Sequence, residues 1–331
     1  MCWWQSFVVN RIRIGIVGAG NVAARHAAVL SSFPDAEIAG IADTVLDKAR
    51  VLAGEYGVPA YSGHEALLAE GSLDAVYVCV PPFAHGAPEL DALSLGLPLF
   101  VEKPLALDAA TAEKIAAEAA RRGVPTAVGH HWRYLDVLDR ARALLDGRPV
   151  RLALAHWLDK IPPVGWWPHR AMSGGQVLEQ AIHVLDLART LVGEVGEVHA
   201  VPSAATDGQE GDIDRATAAV LRFRNGAAGL LATSCLLGWK HRAGLEVQAD
   251  GLALDLGEEE LVMHTSEGRR VERDPGNART RVDRAFVDAV RGTGDDIRAP
   301  YDEALRTHRL ACALTTSAGL GRPVALEDGD G

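Results

Sequence analysis

Ile14-Gly15-Ile16-Val17-Gly18-Ala19-Gly20-Asn21-Val22-Ala23 is the stretch on which the reading of this chain turns. A β-branched run passes through G-x-G-x-x-A directly into a helical pattern. Gly18 permits a tight turn, Gly20 lets the backbone approach a pyrophosphate, and Ala23 allows the helix to pack closely on the strand. Asn21 and Val22 open that helix, whose free N–H groups and positive dipole end suit an anion. Ala23, Ala27 and Leu30 then fall at i, i+4 and i+7, one apolar stripe for packing on a sheet. Asp43 closes the next apolar run, 20 residues after Ala23, where a carboxylate accepts hydrogen bonds from ribose hydroxyls. Thr44 and Val45 follow it, with no arginine to meet a 2′-phosphate, so NAD is expected in preference to NADP.

Working outward, residues 11–129 alternate short apolar runs with helical stretches, a pattern that calls for parallel strands joined by helical crossovers. The runs are Ile12–Val17, Ile38–Ala42, Ala75–Val80, Leu99–Val101 and Thr126–Val128. In such a sheet the ligand crevice lies beyond the carboxyl ends of the strands. Those ends carry Gly18 to Gly20, Asp43, Val80 with Pro81, Pro82 and His85, then Glu102-Lys103-Pro104, and Gly129-His130-His131. Loops at the opposite edge, such as Pro34-Asp35-Ala36, read as plain turns.

After a helix around Leu135–Leu145 the grammar changes. Val150, Leu152 and Leu154 alternate with Arg151, Ala153 and Ala155, a period of two. Asn225-Gly226 separates Thr217–Phe223 from Ala228–Cys235, and Asp250-Gly251 separates Leu245–Ala249 from Leu252–Leu256; both dipeptides suit two-residue hairpins. The fold class is α/β: an N-terminal Rossmann parallel sheet in residues 1–130, then an α+β domain with a mostly antiparallel sheet in residues 131–331. The stretch Asp302–Leu320 reads as a helix that sequence assigns to neither domain. Met1–Asn10 is apolar and is expected to be an extra edge strand or a disordered start.

The chain has 331 residues, enough for two domains with sizeable cores. Its 33 basic and 44 acidic side chains leave a net charge of -11, the wrong sign for a nucleic-acid or anionic-membrane partner. No apolar run has the length of a membrane span, and the opening residues lack the grammar of a secretory signal, so a cytoplasmic location is expected. Cys2, Cys79, Cys235 and Cys312 lie far apart and read as reduced thiols.

Removing hydride from a carbinol carbon requires a base for the hydroxyl proton and benefits from a cation at the developing alkoxide. Lys103, just past the fourth run and beside Pro104, sits where that cation is needed. Ser173-Gly174-Gly175 leads into an expected helix over Gln176–Leu191, in which Glu179 and His183 stand at i and i+4 and share one face. A carboxylate there orients the imidazole, and histidine titrates in the range that suits reversible proton transfer. A plain surface pair is the competing reading.

Gly18-Ala19-Gly20-Asn21-Val22-Ala23, Val78-Cys79-Val80-Pro81-Pro82-Phe83-Ala84-His85, Glu102-Lys103-Pro104, and Gly174-Gly175 leading to His183-Val184-Leu185-Asp186-Leu187 together resemble the glucose-fructose oxidoreductase and inositol dehydrogenase (Gfo/Idh/MocA) family over roughly residues 11 to 325. The resemblance implies a Rossmann domain binding NAD(P) and an open-sheet domain that holds a sugar or cyclitol and mediates assembly into a homodimer or homotetramer. It makes Lys103 the lysine of the E-K-P motif, His183 the proton-transfer histidine, and Lys103-Pro104 a candidate cis peptide. One departure stands out, since the family pattern has aspartate and glycine where this chain has Glu179 and Ala181. The implied activity is hydride transfer between nicotinamide and a hydroxyl of a sugar, sugar acid or cyclitol. Rival readings are a glycosidase or lyase that retains its NAD, and a dinucleotide-sensing binding protein.

Five of the seven tryptophans (Trp132, Trp157, Trp166, Trp167, Trp239) lie in the second half, and flat aromatic faces stack on sugar C–H groups. Trp167 is the preferred pocket residue, with core packing as the duller account. His131 and Arg133, following the fifth strand, are expected to line the substrate entrance. His130, His131, His156, His169, Glu179 and His183 match no metal-ligand spacing, so no metal site is expected.

Overall fold

The structure, a computed structural model, describes residues 11–205 and 208–327. The expectation for Met1–Asn10 therefore lies outside the described residues. The first sheet takes β1 (Ile12–Val17), β2 (Ala36–Ala42), β3 (Ala60–Tyr61), β4 (Ala75–Val78), β5 (Leu99–Val101) and β6 (Thr126–Val128), all parallel, in the order β3-β2-β1-β4-β5-β6. Nearly every side chain of β1, β2, β4 and β5 is buried, as expected for strands covered on both faces. The covering helices are α1 (Asn21–Leu30), α2 (Leu46–Tyr56), α3 (His64–Glu70), α4 (Ala87–Ser94) and α5 (Ala109–Arg122). Because the chain runs outward from β1 and then restarts on its other side at β4, the loops after β1 and β4 diverge. The crevice this leaves is where ligands bind in sheets of this winding.

Gly18 is required by that geometry. Its φ is +101°, and a Cβ there would stand 2.2 Å from the Cys79 carbonyl oxygen at the end of β4. The β1 exit is thus pressed against its neighbour strand, held by Gly18 N–H donating to Ala42 O and Cys79 N–H donating to Val17 O, each at 2.7 Å.

A short 3-10 turn over His131–Tyr134 and helix α6 (Asp136–Leu145) lead to the second sheet. In chain order come β7 (Leu152–Leu158), the helices α7 (Arg170–Ser173), α8 (Gln176–Glu179) and α9 (Ile182–Val192), and then β8 (Val195–Pro202), β9 (Ala216–Phe223), β10 (Ala228–Ser234), β11 (Arg242–Ala249), β12 (Leu252–Leu256), β13 (Glu260–Thr265) and β14 (Gly268–Arg273). The chain closes with α10 (Ala278–Arg291), α11 (Tyr301–Leu320) and β15 (Val324–Ala325). The nine described strands run β14-β13-β12-β11-β7-β10-β9-β8-β15, antiparallel apart from the β7–β10 pair. Alternation is clean in β9 and β10, whose inward residues include Leu221, Phe223 and Leu231 and whose outward ones include Val220 and Leu230.

Asp250-Gly251 forms the two-residue turn expected, with Ala249 paired to Leu252. The Asn225-Gly226 turn is one residue longer: Phe223 N–H donates to Ala227 O, leaving Arg224, Asn225 and Gly226 outside the ladder, with Gly226 at φ +87°. A three-residue hairpin ending in a left-handed glycine fits strand twist equally well. The helix expected over Gln176–Leu191 is broken. The Glu179 carbonyl is taken by the Lys103 ammonium, and Ala181 N–H reaches back to Gln176 O.

The sheets divide between β6 and β7, while the last helices cross that division. Helix α10 packs on α1 and β1, and its Arg284 and Arg291 pair with Asp35 in the loop that reads as a plain turn. Tyr301, Ala304 and Leu305 of α11 join the apolar cluster formed by β4, β5 and β6, so α11 is shared by both units.

Candidate active site

Four amides at a helix start lack intrahelical partners, so what surrounds them states what they can hold. The α1 terminus receives no side-chain cap, carries no acidic residue in its first turn, and begins at exposed Gly20. A Cβ at Gly20 would meet nothing within 4 Å. This open, uncapped, positive end fits a pyrophosphate. Asp43 stands at the end of β2, its Oδ2 accepting from Ala19 N–H at 2.9 Å and its Oδ1 from Val45 N–H at 2.8 Å. It therefore ties the glycine loop to β2 while remaining half-exposed. Val80 is half-buried beside the same opening, and Pro82, buried, begins the short turn Pro82–Ala84 against which α7 packs. The structure does not present His85 to the crevice as expected: its side chain is fully buried, its Nδ1 is bonded to Glu89 of α4, and its Nε2 is enclosed without a partner.

Lys103 follows β5, and its peptide bond to Pro104 is cis. Its ammonium donates to the Glu179 carbonyl at 2.7 Å and to Glu179 Oε1 at 3.1 Å. An ammonium has three donors, so one remains for a substrate oxygen. Glu179 was expected to orient His183; it holds Lys103 instead. Its Oε2 accepts from Trp167 Nε1 at 2.7 Å, which commits both oxygens, and the helix break separates it from His183. Trp167 is also corrected. With no exposed surface it cannot stack on a sugar, and it acts as the hydrogen-bond donor behind Glu179.

His183 heads α9 inside an aromatic wall. Trp132 and Trp157 lie nearly parallel to its ring at 5.8 and 5.6 Å, while His131 and His130 meet it edge-on at 5.2 and 6.2 Å. Lys240 sits 5.4 Å over the Trp157 ring. Burial, then the Lys103 charge, pushes the His183 pKa well below that of an ordinary histidine, leaving a neutral imidazole at neutral pH. Its Nδ1 is enclosed without a partner. His131 remains at this site, half-buried, with Nε2 3.1 Å from Glu258 Oε1.

Arg133 is removed from the substrate entrance. Its guanidinium bonds both oxygens of Asp186 at 2.7 Å, Glu303 at 3.0 Å and the Arg298 carbonyl at 2.8 Å, all in the interior. Asp186, held well below the usual carboxylate range, also accepts from Thr307 at 2.7 Å. A fork of five fixed donors suits this buried bidentate role. The sequence reading did not single out Trp132 and Trp157 as the wall behind His183, nor His26 of α1. The polar His26 on an otherwise apolar buried stripe was the one signal for it.

Among the described residues no group of three His, Cys, Asp or Glu side chains is arranged to hold a metal, and no helix is long and apolar enough to cross a membrane. Cys79, Cys235 and Cys312 are free thiols.

Residues 12–130 match the model of the Gfo/Idh/MocA oxidoreductase family, described as an NAD-binding Rossmann fold, and residues 138–252 match the model of its C-terminal domain. Myo-inositol 2-dehydrogenase of Thermotoga maritima is 31% identical over 232 residues, 67% of this chain and 68% of that protein. The scyllo-inositol 2-dehydrogenase (NAD(+)) of Bacillus subtilis is 25% identical across 96% of this chain and 97% of its own. In fold, the chain is similar to a levoglucosan dehydrogenase in complex with NADH and L-sorbose, with a TM-score of 0.86 at 18% identity, covering 96% of this chain and 99% of that one. A glycine loop open to a dinucleotide, a parallel sheet wound from its centre and matches to both family models lead to one conclusion: the chain belongs to the Gfo/Idh/MocA family of NAD-binding oxidoreductases.

Proposed function

We propose that the protein is an NAD-dependent dehydrogenase that oxidises a hydroxyl of a sugar, sugar acid or cyclitol, or reduces the matching ketone. The observation that carries this reading is the pairing of an ammonium with one uncommitted donor, Lys103, and a neutral buried imidazole, His183, on which the Lys103 charge is the strongest acting charge. NAD, bound at the α1 terminus, supplies the hydride acceptor. Gly18 shapes that loop, and Gly20, Asn21, Val22 and Asp43 hold the dinucleotide, with Val80, Pro82 and the Glu102-Lys103 backbone along its path. Lys103 Nζ holds the substrate oxygen and stabilises the negative charge it gains. His183 takes the hydroxyl proton at Nε2, its other nitrogen being sealed in the interior. Glu179 and Trp167 fix Lys103, and His131 contacts the substrate. The inositol dehydrogenases among the relatives support a polyhydroxylated ring as the substrate class.

The experiment is a panel of cyclitols, hexoses, sugar acids and polyols assayed with NAD and with NADP. Reduced nicotinamide is expected with NAD and at least one polyhydroxylated alcohol, and a silent panel overturns the reading. Asp43→Ala should weaken NADH binding by about tenfold or more, as loss of hydrogen bonds to a charged group implies. Fluorescence titration checks this, and equal affinity of the native protein for NADH and NADPH would contradict the role given to Asp43.

The outward face of the second sheet favours a homodimer or homotetramer as the working state. Val201, Val220 and Leu230 are 58%, 53% and 48% exposed there, and they line an apolar depression of about 480 Å³ with Leu154, His156 and Leu158. Contiguous apolar surface of this kind marks association sites. Sedimentation equilibrium should give a mass at least twice that of one chain, and a single-chain mass would contradict it.

A further inference from the structure

His26 lies on α1, buried at 4% exposure, with each ring nitrogen facing a carboxylate oxygen: Nδ1 is 2.7 Å from Asp283 Oδ1 of α10 and Nε2 is 2.9 Å from Glu102 Oε1 beyond β5. A neutral imidazole donates only once, so with both carboxyls ionised the two contacts are satisfied together only by the imidazolium. Glu102 is itself committed on its other side, since Oε2 accepts the Lys103 N–H at 3.0 Å. A Cβ at Gly129 would fall 2.5 Å from Glu102 Oε1, so the carboxylate sits in space that only a glycine at 129 leaves open. The rings of Tyr77 and Phe100 close over His26 at 5.4 and 5.0 Å.

We propose that His26, clamped as an imidazolium between Asp283 and Glu102, is a positioning residue that fixes the backbone of Lys103 and thereby aims its ammonium at the substrate. The inference rests on the dehydrogenase reading only for its catalytic consequence; the clamp itself is independent of it. It joins three parts of the chain distant in sequence: the dinucleotide helix, the E-K-P loop and helix α10. Loss of the proton would leave one buried carboxylate without its donor, at a cost the loop relieves by shifting.

Charge in this pocket supports the same picture. Burial opposes protonation of His26, but the Asp283 charge and hydrogen bonds to Asp283 and Glu102 outweigh it and raise its pKa from 6.5 to about 9. Burial would raise Glu102, and the His26 contacts hold it down to about 2. Burial likewise pulls the Asp283 carboxyl upward, against the imidazolium beside it. The other groups facing the pocket are the Tyr77 hydroxyl and Cys79 thiol, both kept protonated by burial, and the cations Arg25, Lys103 and Arg284. A raised pKa places the clamp's stability contribution below pH 6.5 in full and removes it as pH climbs through about 9.

The test measures acetylation of Lys103 by acetic anhydride, read by mass spectrometry on the NADH-bound protein against exposed Lys48 as reference. The native ratio should stay low through neutral pH and step upward near pH 9. In His26→Gln the ratio should already be several-fold higher at pH 7 with no step, while in Asp283→Asn the step moves down by about one pH unit or more, as removal of a partner charge requires. NADH affinity should stay within about threefold in both, and with any panel alcohol the native protein oxidises, kcat of His26→Gln should fall about tenfold or more at similar KM, the usual size of a displaced reacting group. A ratio in His26→Gln equal to native, or an Asp283→Asn step at the native pH, overturns the proposal; if His26→Gln fails to fold, Asp283→Asn decides alone. A panel without turnover would sink the dehydrogenase reading and leave the labelling profiles to judge the clamp.

Discussion

Lys103→Ala is expected to lower kcat by about two to three orders of magnitude while NADH affinity stays within about threefold, the loss typical of a single electrostatic donor aimed at developing charge. The pattern follows from the position of the ammonium. Two of its donors are on Glu179 and one is left over, and the dinucleotide path takes only the Lys103 backbone, so removing the side chain spares the contacts given to Gly20, Asn21, Val22 and Asp43. It also changes the base. Because the Lys103 charge helps hold His183 below the ordinary histidine range, the variant's residual activity should show an acid limb displaced to higher pH than the native limb. Rapid-mixing kinetics and a pH series check both parts. Native turnover in this variant, or an unmoved acid limb, would refute the pairing of the two groups.

His183→Asn is expected to cost about 10² to 10⁴ in kcat, the range for loss of a positioned general base, again with NADH bound normally. Asparagine keeps a hydrogen-bonding group in the wall of Trp132, Trp157 and His131 but cannot take a proton at neutral pH. The sign of the native pH profile follows from the depressed His183 pKa: the base is already neutral at pH 7, so kcat should be flat there and fall only in acid, as the imidazole protonates well below 6.5. His183→Asn should lose that acid limb together with its rate. A limb that survives in the variant would move the proton acceptor to another residue.

The parts of this molecule that sequence makes legible are those that local pattern controls. Gly18 and Gly20 announce the dinucleotide loop because turn geometry and close approach admit little else, and β1, β5 and β6 follow their apolar runs to the residue. What stays hidden is set by partners distant in the chain. Arg133 reads as a substrate residue until Asp186, Glu303 and the Arg298 carbonyl are brought around it. Glu179 and His183 share a helix face on paper, yet Lys103, 76 residues upstream, takes the Glu179 carbonyl and the helix breaks there. Strand β14 carries four charged residues in six, so no apolar alternation marks it, and it is defined by its pairing with β13 at the sheet edge. Asp35 sits in a turn of ordinary composition and is pinned by Arg284 and Arg291 of α10, 249 and 256 residues downstream.

Deuterium transfer puts the central claim to its most direct test. Native protein, NAD and a panel alcohol deuterated at the carbinol carbon should yield NADH carrying the label at nicotinamide C4, with both Lys103→Ala and His183→Asn transferring it far more slowly at unchanged NADH affinity. Label that reaches solvent with no net NADH would point to a retained cofactor, and equal transfer by either variant would show that these two side chains do not form the site where hydride and proton part.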